Sequence, residues 1–259
     1  MITERELDIL RRFFPVTTGM QGVHTLLRLP DAVGYCDDWK QPRVVAVACG
    51  DDLILAGDAK AQRWIEFVAS LSFAGFIQAP PAFLPGLKQI DAGVIVWPRV
   101  NFVLDGALAS LTSAPGGKVR KVHPGDAAAL EKIGQPWLWK YWRDAEDFCR
   151  TGVGYVALVD GEAVSIASIF TESERYADLA VATHPAFRGK GYSTAAAHAL
   201  CQNVLAKGRV PVWNTSTDNL ASIAISRKLG FREKPAEPLY LMKRDIPHAD
   251  SLTIGGDLS

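Results

Sequence analysis

Thr183-His184-Pro185-Ala186-Phe187-Arg188-Gly189-Lys190-Gly191-Tyr192-Ser193 joins a strand-like run, Tyr176 to Thr183, to a helical run, Gly191 to Leu205. Glycines at 189 and 191 give a tight turn whose backbone N–H groups can converge, and the helix that follows points its positive end at the same spot. Together they make an anion site suited to a phosphate or diphosphate. Neither GxxxxGK[ST] nor GxGxxG is present, and Lys190 lies inside the turn, so the two common nucleotide signatures are not met. Taken alone, Gly189 and Gly191 would serve equally well to turn a strand into a helix.

Outward from this loop, the second half of the chain reads as a layered α/β (α+β) domain. Lys118 to Val122 is a strand, and Pro124-Gly125-Asp126 opens a helix to about Ile133. Gln135 to Cys149 reads as a second helical segment carrying Trp137, Trp139, Tyr141 and Trp142. Tyr155 to Val159 and Ala163 to Phe170 form a hairpin across Asp160-Gly161. After Tyr176 to Thr183 and the long helix come a strand at Val210 to Trp213, a helix at Asn219 to Leu229 and a strand at Leu239 to Met242. Thr112 to Gly117 (TSAPGG) is the linker candidate, dividing the chain into 1–112 and 118–245. The first part has an amphipathic helix over 3–14, a strand–turn–strand at 43–56, a helix over 60–73, a loop at Pro80, Pro81 and Pro85, and strands on either side of Pro98.

The 259 residues are 48% hydrophobic and 22% charged, a globular composition, and 28 basic residues balance 28 acidic ones. A balanced chain has no global field to hold a polyanion, so nucleic acid is not expected as a partner. No apolar run approaches the ~20 residues that cross a bilayer, and no membrane association is expected. Cys36, Cys49, Cys149 and Cys201 are scattered with no CxxC pair. That spacing points to a reducing, cytoplasmic compartment and to no metal site. Oligomeric state is silent.

The run Arg188-Gly189-Lys190-Gly191-Tyr192-Ser193 resembles the acyl-CoA loop of the GNAT acyltransferase superfamily, Arg/Gln-x-x-Gly-x-Gly/Ala. A second match follows in order: Asn219-Leu220-Ala221-Ser222-Ile223-Ala224-Ile225-Ser226-Arg227-Lys228-Leu229-Gly230-Phe231 is similar to the superfamily's closing helix. The resemblance covers about residues 118–243. Within the superfamily, Thr183-x-Pro185-x-Phe187-Arg188-Gly189-Lys190-Gly191 and Pro211-Val212-Trp213 resemble the zwittermicin-resistance-type acetyltransferases, which also carry an N-terminal segment. The resemblance implies a mixed, mostly antiparallel sheet flanked by helices, preceded here by a smaller α/β domain that could be a degenerate copy of the same fold.

It further implies an acetyltransferase with acetyl-CoA as co-substrate and a small-molecule or peptide amine as acceptor. The N–H groups of Arg188 to Ser193 would hold the CoA diphosphate, and Arg188 and Lys190 could add charge. Strand 176–183 would open away from its neighbour so that backbone around Val181, Ala182 and Thr183 faces the pantetheine arm. Asn219 would cap its helix and contact CoA, and Ser222 would approach the arm. An ammonium must lose a proton before it attacks, and Asp178 is the only acid in the strand, with Glu172 and Glu174 upstream as fallbacks. Strand alternation turns Asp178 away from Val181 and Thr183 unless a bulge intervenes. Where the family often has a Tyr to protonate the departing thiolate, this chain has Ser226. The aromatic group at 137–142 would wall the acceptor site or pack a core. A chain that kept the loop without an acid–base pair would instead be a non-catalytic acyl-CoA-binding or sensor module.

Overall fold

The computed structural model describes residues 2–61, 63–111 and 118–247; the expected linker, 112–117, lies outside the described residues. The chain begins α1 (Glu4–Phe13), α2 (Gln21–Leu26), β1 (Val33–Cys36), β2 (Val44–Cys49), β3 (Asp52–Gly57), α3 (Arg63–Ser70), β4 (Gly75–Gln78), α4 (Leu84–Ile90), β5 (Ile95–Trp97) and β6 (Arg99–Val103). It continues β7 (Lys118–Lys121), α5 (Ala127–Glu131), α6 (Ala145–Thr151), β8 (Gly154–Val159), β9 (Glu162–Glu172), β10 (Tyr176–Thr183) and α7 (Tyr192–Ala206). Last come β11 (Val210–Ser216), α8 (Leu220–Lys228), β12 (Arg232–Lys234) and β13 (Leu239–Met242).

Two units result. One comprises Met1–Val100 with Pro235–Ile246, the other Asn101–Lys234. The single cut expected between 112 and 118 is therefore replaced by an exchange of strands. The first sheet has the order β1-β2-β3-β4-β13-β5 and the second β12-β6-β11-β10-β9-β8-β7. So β13 pairs antiparallel with both β4 and β5 in the first sheet, while β6 lies between β11 and β12 in the second. Pro98 separates β5 from β6 because it has no N–H to give a ladder.

The two sheets share one plan. In each, two antiparallel pairings lead to a strand that runs parallel to its next neighbour: β3 beside β4, β10 beside β11. A helix joins each parallel pair, α3 in the first unit and α7 in the second. The exchanged strand follows in each sheet, then a short edge strand. Among the described residues only β7 lacks a counterpart.

The second unit buries α7 against the sheet through Ala196, Ala197, Leu200, Cys201 and Val204, all without exposed surface. Ala196, Leu200 and Val204 lie four residues apart on one face of the helix. On the opposite face, Leu130, Leu138 and Phe148 pack on Val156, Ile166, Ala180 and Ala182. The segment read as one helix over 135–149 is instead a 3-10 turn at Pro136–Trp139 followed by α6, whose N-terminus Asp144 caps through the Asp147 N–H at 2.7 Å. An Asx cap inside an apolar run ends one element and starts another, which a helical period hides. The first unit gathers Val44, Leu53, Trp64, Ile77, Phe83, Leu87 and Tyr240 into its core. A 3-10 turn at Pro81–Phe83 and then α4 occupy the segment read as a proline loop: Pro81 and Pro85 sit in their first turns, where a missing N–H costs nothing.

Candidate active site

Strand β10 pairs with β11 only at Tyr176↔Val210, Ala177↔Pro211 and Asp178↔Val212. With β9 it stays paired through Thr183↔Ser165. From Leu179 to Thr183 the β11 side of β10 is therefore open. The His184 N–H donates to the Val164 carbonyl on β9 at 2.9 Å. Antiparallel alternation then turns the main-chain groups of Ala182 toward β9, where its carbonyl accepts from Ser165 Oγ at 2.8 Å, and those of Val181 and Thr183 into the opening. Of the three residues expected along the arm, two thus face the gap and Ala182 does not.

At the mouth of this gap α7 begins. Its N-cap is Gly191, in the left-handed region at φ 86°, and no side chain caps the helix. The first-turn N–H groups of an α-helix have no intrahelical partner. Elsewhere in the chain Thr3, Asp144 and Asn219 supply side-chain caps to α1, α6 and α8. Gly189 also has positive φ, 74°, and a Cβ built on either glycine would meet nothing within 4 Å. The loop is thus an open cradle at the start of α7. Arg188, Gly189 and Lys190 are exposed at its rim. Arg188 Nε lies 3.4 Å from the Thr183 carbonyl, and Lys190 Nζ donates to the Ala186 carbonyl at 3.1 Å while lying over the Phe187 ring. Tyr192 is buried against Phe187 and Ser193 half-buried.

Asp178 stands at the apex of the gap. The pairing of β10 with β9 shifts register between Asp178 and Leu179, but the extra residue, Phe170, is on β9. The strand β10 keeps its own alternation, so Asp178 shares a face with Ala180 and Ala182 rather than with Val181. Its Oδ1 accepts the N–H of Asn214 at 3.0 Å, two residues beyond the last β10–β11 pair, and Thr171 Oγ1 lies 3.5 Å from Oδ2. The carboxylate takes up an N–H that a closed ladder would have paired. Phe170, displaced by the bulge, packs on Trp137 and Tyr141 at 5.8 and 5.1 Å between ring centroids, placing two of the predicted aromatics beside this apex.

Most of the other expected residues are otherwise engaged, and Glu174 is exposed. Glu172 is ion-paired to Arg209 at 2.5 Å. Asn219 caps α8 through the Ser222 N–H, and Ser222 Oγ accepts the Trp213 indole N–H at 2.8 Å. Ser226 is fully buried and its hydroxyl donates to the Ile223 carbonyl within its own helix. Its assignment as proton donor to the thiolate has no geometric support. Asn214 and Asn101 were missed from sequence: nothing in a strand's local pattern says that a distant strand will bring a partner amide. Asn214 Nδ2 donates to Asn101 Oδ1 at 2.5 Å. Among the described residues no group of three or more His, Cys, Asp or Glu could hold a metal ion, and no helix is long and apolar enough to cross a membrane.

Residues 118–240 match the family model of GNAT acetyltransferase. The chain is 28% identical over 180 residues to an uncharacterised N-acetyltransferase from the mutA 5′ region of Streptomyces virginiae, covering 67% of this chain and 73% of that one. It is 30% identical over 102 residues to the uncharacterised N-acetyltransferase YdfB of Bacillus subtilis (strain 168), 39% of each chain. A GCN5-related N-acetyltransferase-like protein from Streptococcus suis 89/1591 has a similar fold, with a TM-score of 0.69 at 19% identity over 93% of this chain and 99% of that one. The family match takes in the loop and helix that form the open cradle, so residues 118–240 are similar to a GNAT acetyltransferase.

Proposed function

We propose that the chain acetylates a primary amine by direct attack in a ternary complex with acetyl-CoA, whose diphosphate lies on residues 188–193. The observation that carries this is the uncapped start of α7 at Gly191, beside a strand that has parted from its parallel neighbour. When bound, acetyl-CoA supplies an activated acetyl thioester. The N–H groups of Gly191 to Ser193 would hold the diphosphate, with Arg188 and Lys190 adding charge at the rim. The main chain of Val181 and Thr183 would line the pantetheine arm, and an N–H there would meet the charge that develops on the carbonyl oxygen.

Asp178 is the proposed base. It takes a proton from the ammonium of the acceptor; the freed nitrogen forms the new C–N bond as the C–S bond breaks, and the second proton that the nitrogen sheds passes through water to the departing thiolate. Three of the four cysteines support direct transfer over an acyl-enzyme. Burial pushes the thiols of Cys36 and Cys149 up to about 11 and that of Cys201 to about 12, leaving them protonated and unreactive near neutral pH. On the same footing we read the chain as zwittermicin-resistance-type from its 183–191 and 211–213 runs, the first unit as a degenerate copy of the catalytic fold, and the setting as cytoplasmic.

The test pairs CoA titration calorimetry with single-turnover acetyl transfer to a panel of primary amines. Asp178→Asn keeps a carbonyl oxygen for the Asn214 N–H, so CoA binding should persist while transfer falls by about 10²–10⁴-fold. Failure of CoA to bind sinks the reading. Binding without turnover on any amine favours the sensor module.

A further inference from the structure

Four polar side chains cross one face of the second sheet: Thr171 on β9, Asp178 on β10, Asn214 on β11 and Asn101 on β6. The contacts that join them are Thr171 to Asp178, Asn214 N–H to Asp178, and Asn214 Nδ2 to Asn101 Oδ1. The face is the one on which Ala180 and Ala182 meet α5 and α6. On β6 it is opposite to Phe102, which carries the Arg227 guanidinium of α8 over its ring. Asp178, Asn214 and Asn101 are all half-buried.

Asn101 is the odd member. It stands in a strand between Val100 and Phe102, both buried, where an amide is a poor strand former. A carboxamide has two N–H donors and an acceptor oxygen. Asn101 spends only its oxygen, on Asn214, and its NH₂ group makes no hydrogen bond among the described residues. It reaches the row only because β6 has been exchanged into this sheet. With neighbouring strands ~4.8 Å apart, Asn101 lies about 10 Å from Asp178 across β11.

Resting on the reading of Asp178 as the base, we propose that Asn101 determines acceptor specificity, donating to a neutral oxygen that the acceptor carries about 10 Å from its amine. The acceptor is then an amine with a distal carbonyl or hydroxyl group rather than a bare alkylamine or a diamine. The ammonium sits at Asp178, the chain passes Asn214, and the oxygen meets the Asn101 NH₂ group. A role limited to tying β6 to β11 would need no particular acceptor.

Heptylamine and 7-aminoheptanamide, which differ in one terminal carboxamide, serve as probes. The wild-type chain should favour 7-aminoheptanamide by about 10-fold in kcat/KM, the value of one net hydrogen bond. Asn101→Ala should bring that ratio to about one, with the loss in KM and CoA affinity retained. Asn101→Asp, nearly the same shape with acceptors only, should turn the preference toward 1,7-diaminoheptane, a gain that misfolding cannot produce. A ratio that survives Asn101→Ala, or no gain for the diamine in Asn101→Asp, overturns the proposal. So does a wild-type chain that binds CoA but acetylates neither probe, which leaves the CoA site standing; failure to bind CoA would instead overturn the underlying reading.

Discussion

The β3–α3 and β10–α7 connections occupy the same place in two sheets of like order, and they are built in opposite ways. Both follow a strand that parts from its parallel neighbour after three pairs. In the first unit the turn closes on itself. The Asp58 carboxylate accepts the Lys60 N–H at 2.9 Å and pairs with Arg43 at 2.5 Å. A Cβ on Gly57 would sit 2.1 Å from the Arg43 carbonyl oxygen. In the second unit no carboxylate fills the turn, and its two left-handed glycines face open space. Parting two strands is thus not enough to make an anion site. On the proposed reading the difference lies in the turn itself: in the first unit the Asp58 carboxylate occupies it, whereas in the second Gly189 and Gly191 face open space.

The two units also differ in where they place an arginine–aspartate pair. Arg43 and Asp58 are exposed, whereas Arg120 grips the buried Asp126 with two hydrogen bonds of 2.6 and 2.7 Å. Burial pushes the Asp126 carboxyl up, but Arg120 and the His123 N–H outweigh it and hold the carboxyl below its ordinary value. Removing one partner of a buried pair leaves an uncompensated charge, so Asp126→Asn should cost about 3 kcal/mol in urea unfolding at pH 7. A depressed carboxyl contributes fully above the unfolded pKa of about 3.9 and loses its contribution as pH falls through the folded value. The wild-type midpoint should therefore drop in acid while that of Asp126→Asn falls less. The midpoint change for Arg43→Ala should be much smaller. Equal losses would erase the contrast.

Next in size is Gly191→Val. A β-branched residue at φ 86° carries strain of about 2 kcal/mol, so CoA should bind roughly 30-fold more weakly in calorimetry. Unchanged affinity would mean that the α7 cradle is not the diphosphate site. Asp58→Asn probes the converse. It removes the resident charge but not the closed turn at Gly57, and CoA should still bind with one equivalent per chain. A second equivalent would show that charge alone keeps the first unit silent.

The loop and its helix were legible in sequence because glycine spacing and helix polarity are local properties. So were β2 and β3, read as a strand–turn–strand at 43–56. The short strands β1, β4 and β12, with three or four residues each, lack the length for a period to show. The exchange of β6 and β13 was not legible at all, since each strand's own residues suit either sheet. Nor was the route by which Asp178 joins the gap. Alternation places it on the far face, and only a tertiary bond to Asn214 at the parting of β10 and β11 ties it to the opening.

The exchanged strands themselves supply the smallest contrast. Asn101, on β6, shares its oxygen with Asn214, whereas Glu237, two residues before β13, has a buried Oε2 with no partner among the described residues. Burial pushes the Glu237 carboxyl up. Burial and this acid together push the Tyr240 hydroxyl up as well. A carboxyl raised in the folded state opposes folding once it ionises, so stability is lost as pH climbs from the unfolded pKa through the folded one. Glu237→Gln removes the charge, and as the group is only half-buried the gain should be about 1 kcal/mol at pH 7. The gain should fade in acid, where wild-type Glu237 carries its proton. Urea midpoints of the two chains at pH 4 and pH 7 decide it. A loss at pH 7 would mean that the first unit, like the second, ties its exchanged strand with a polar bond.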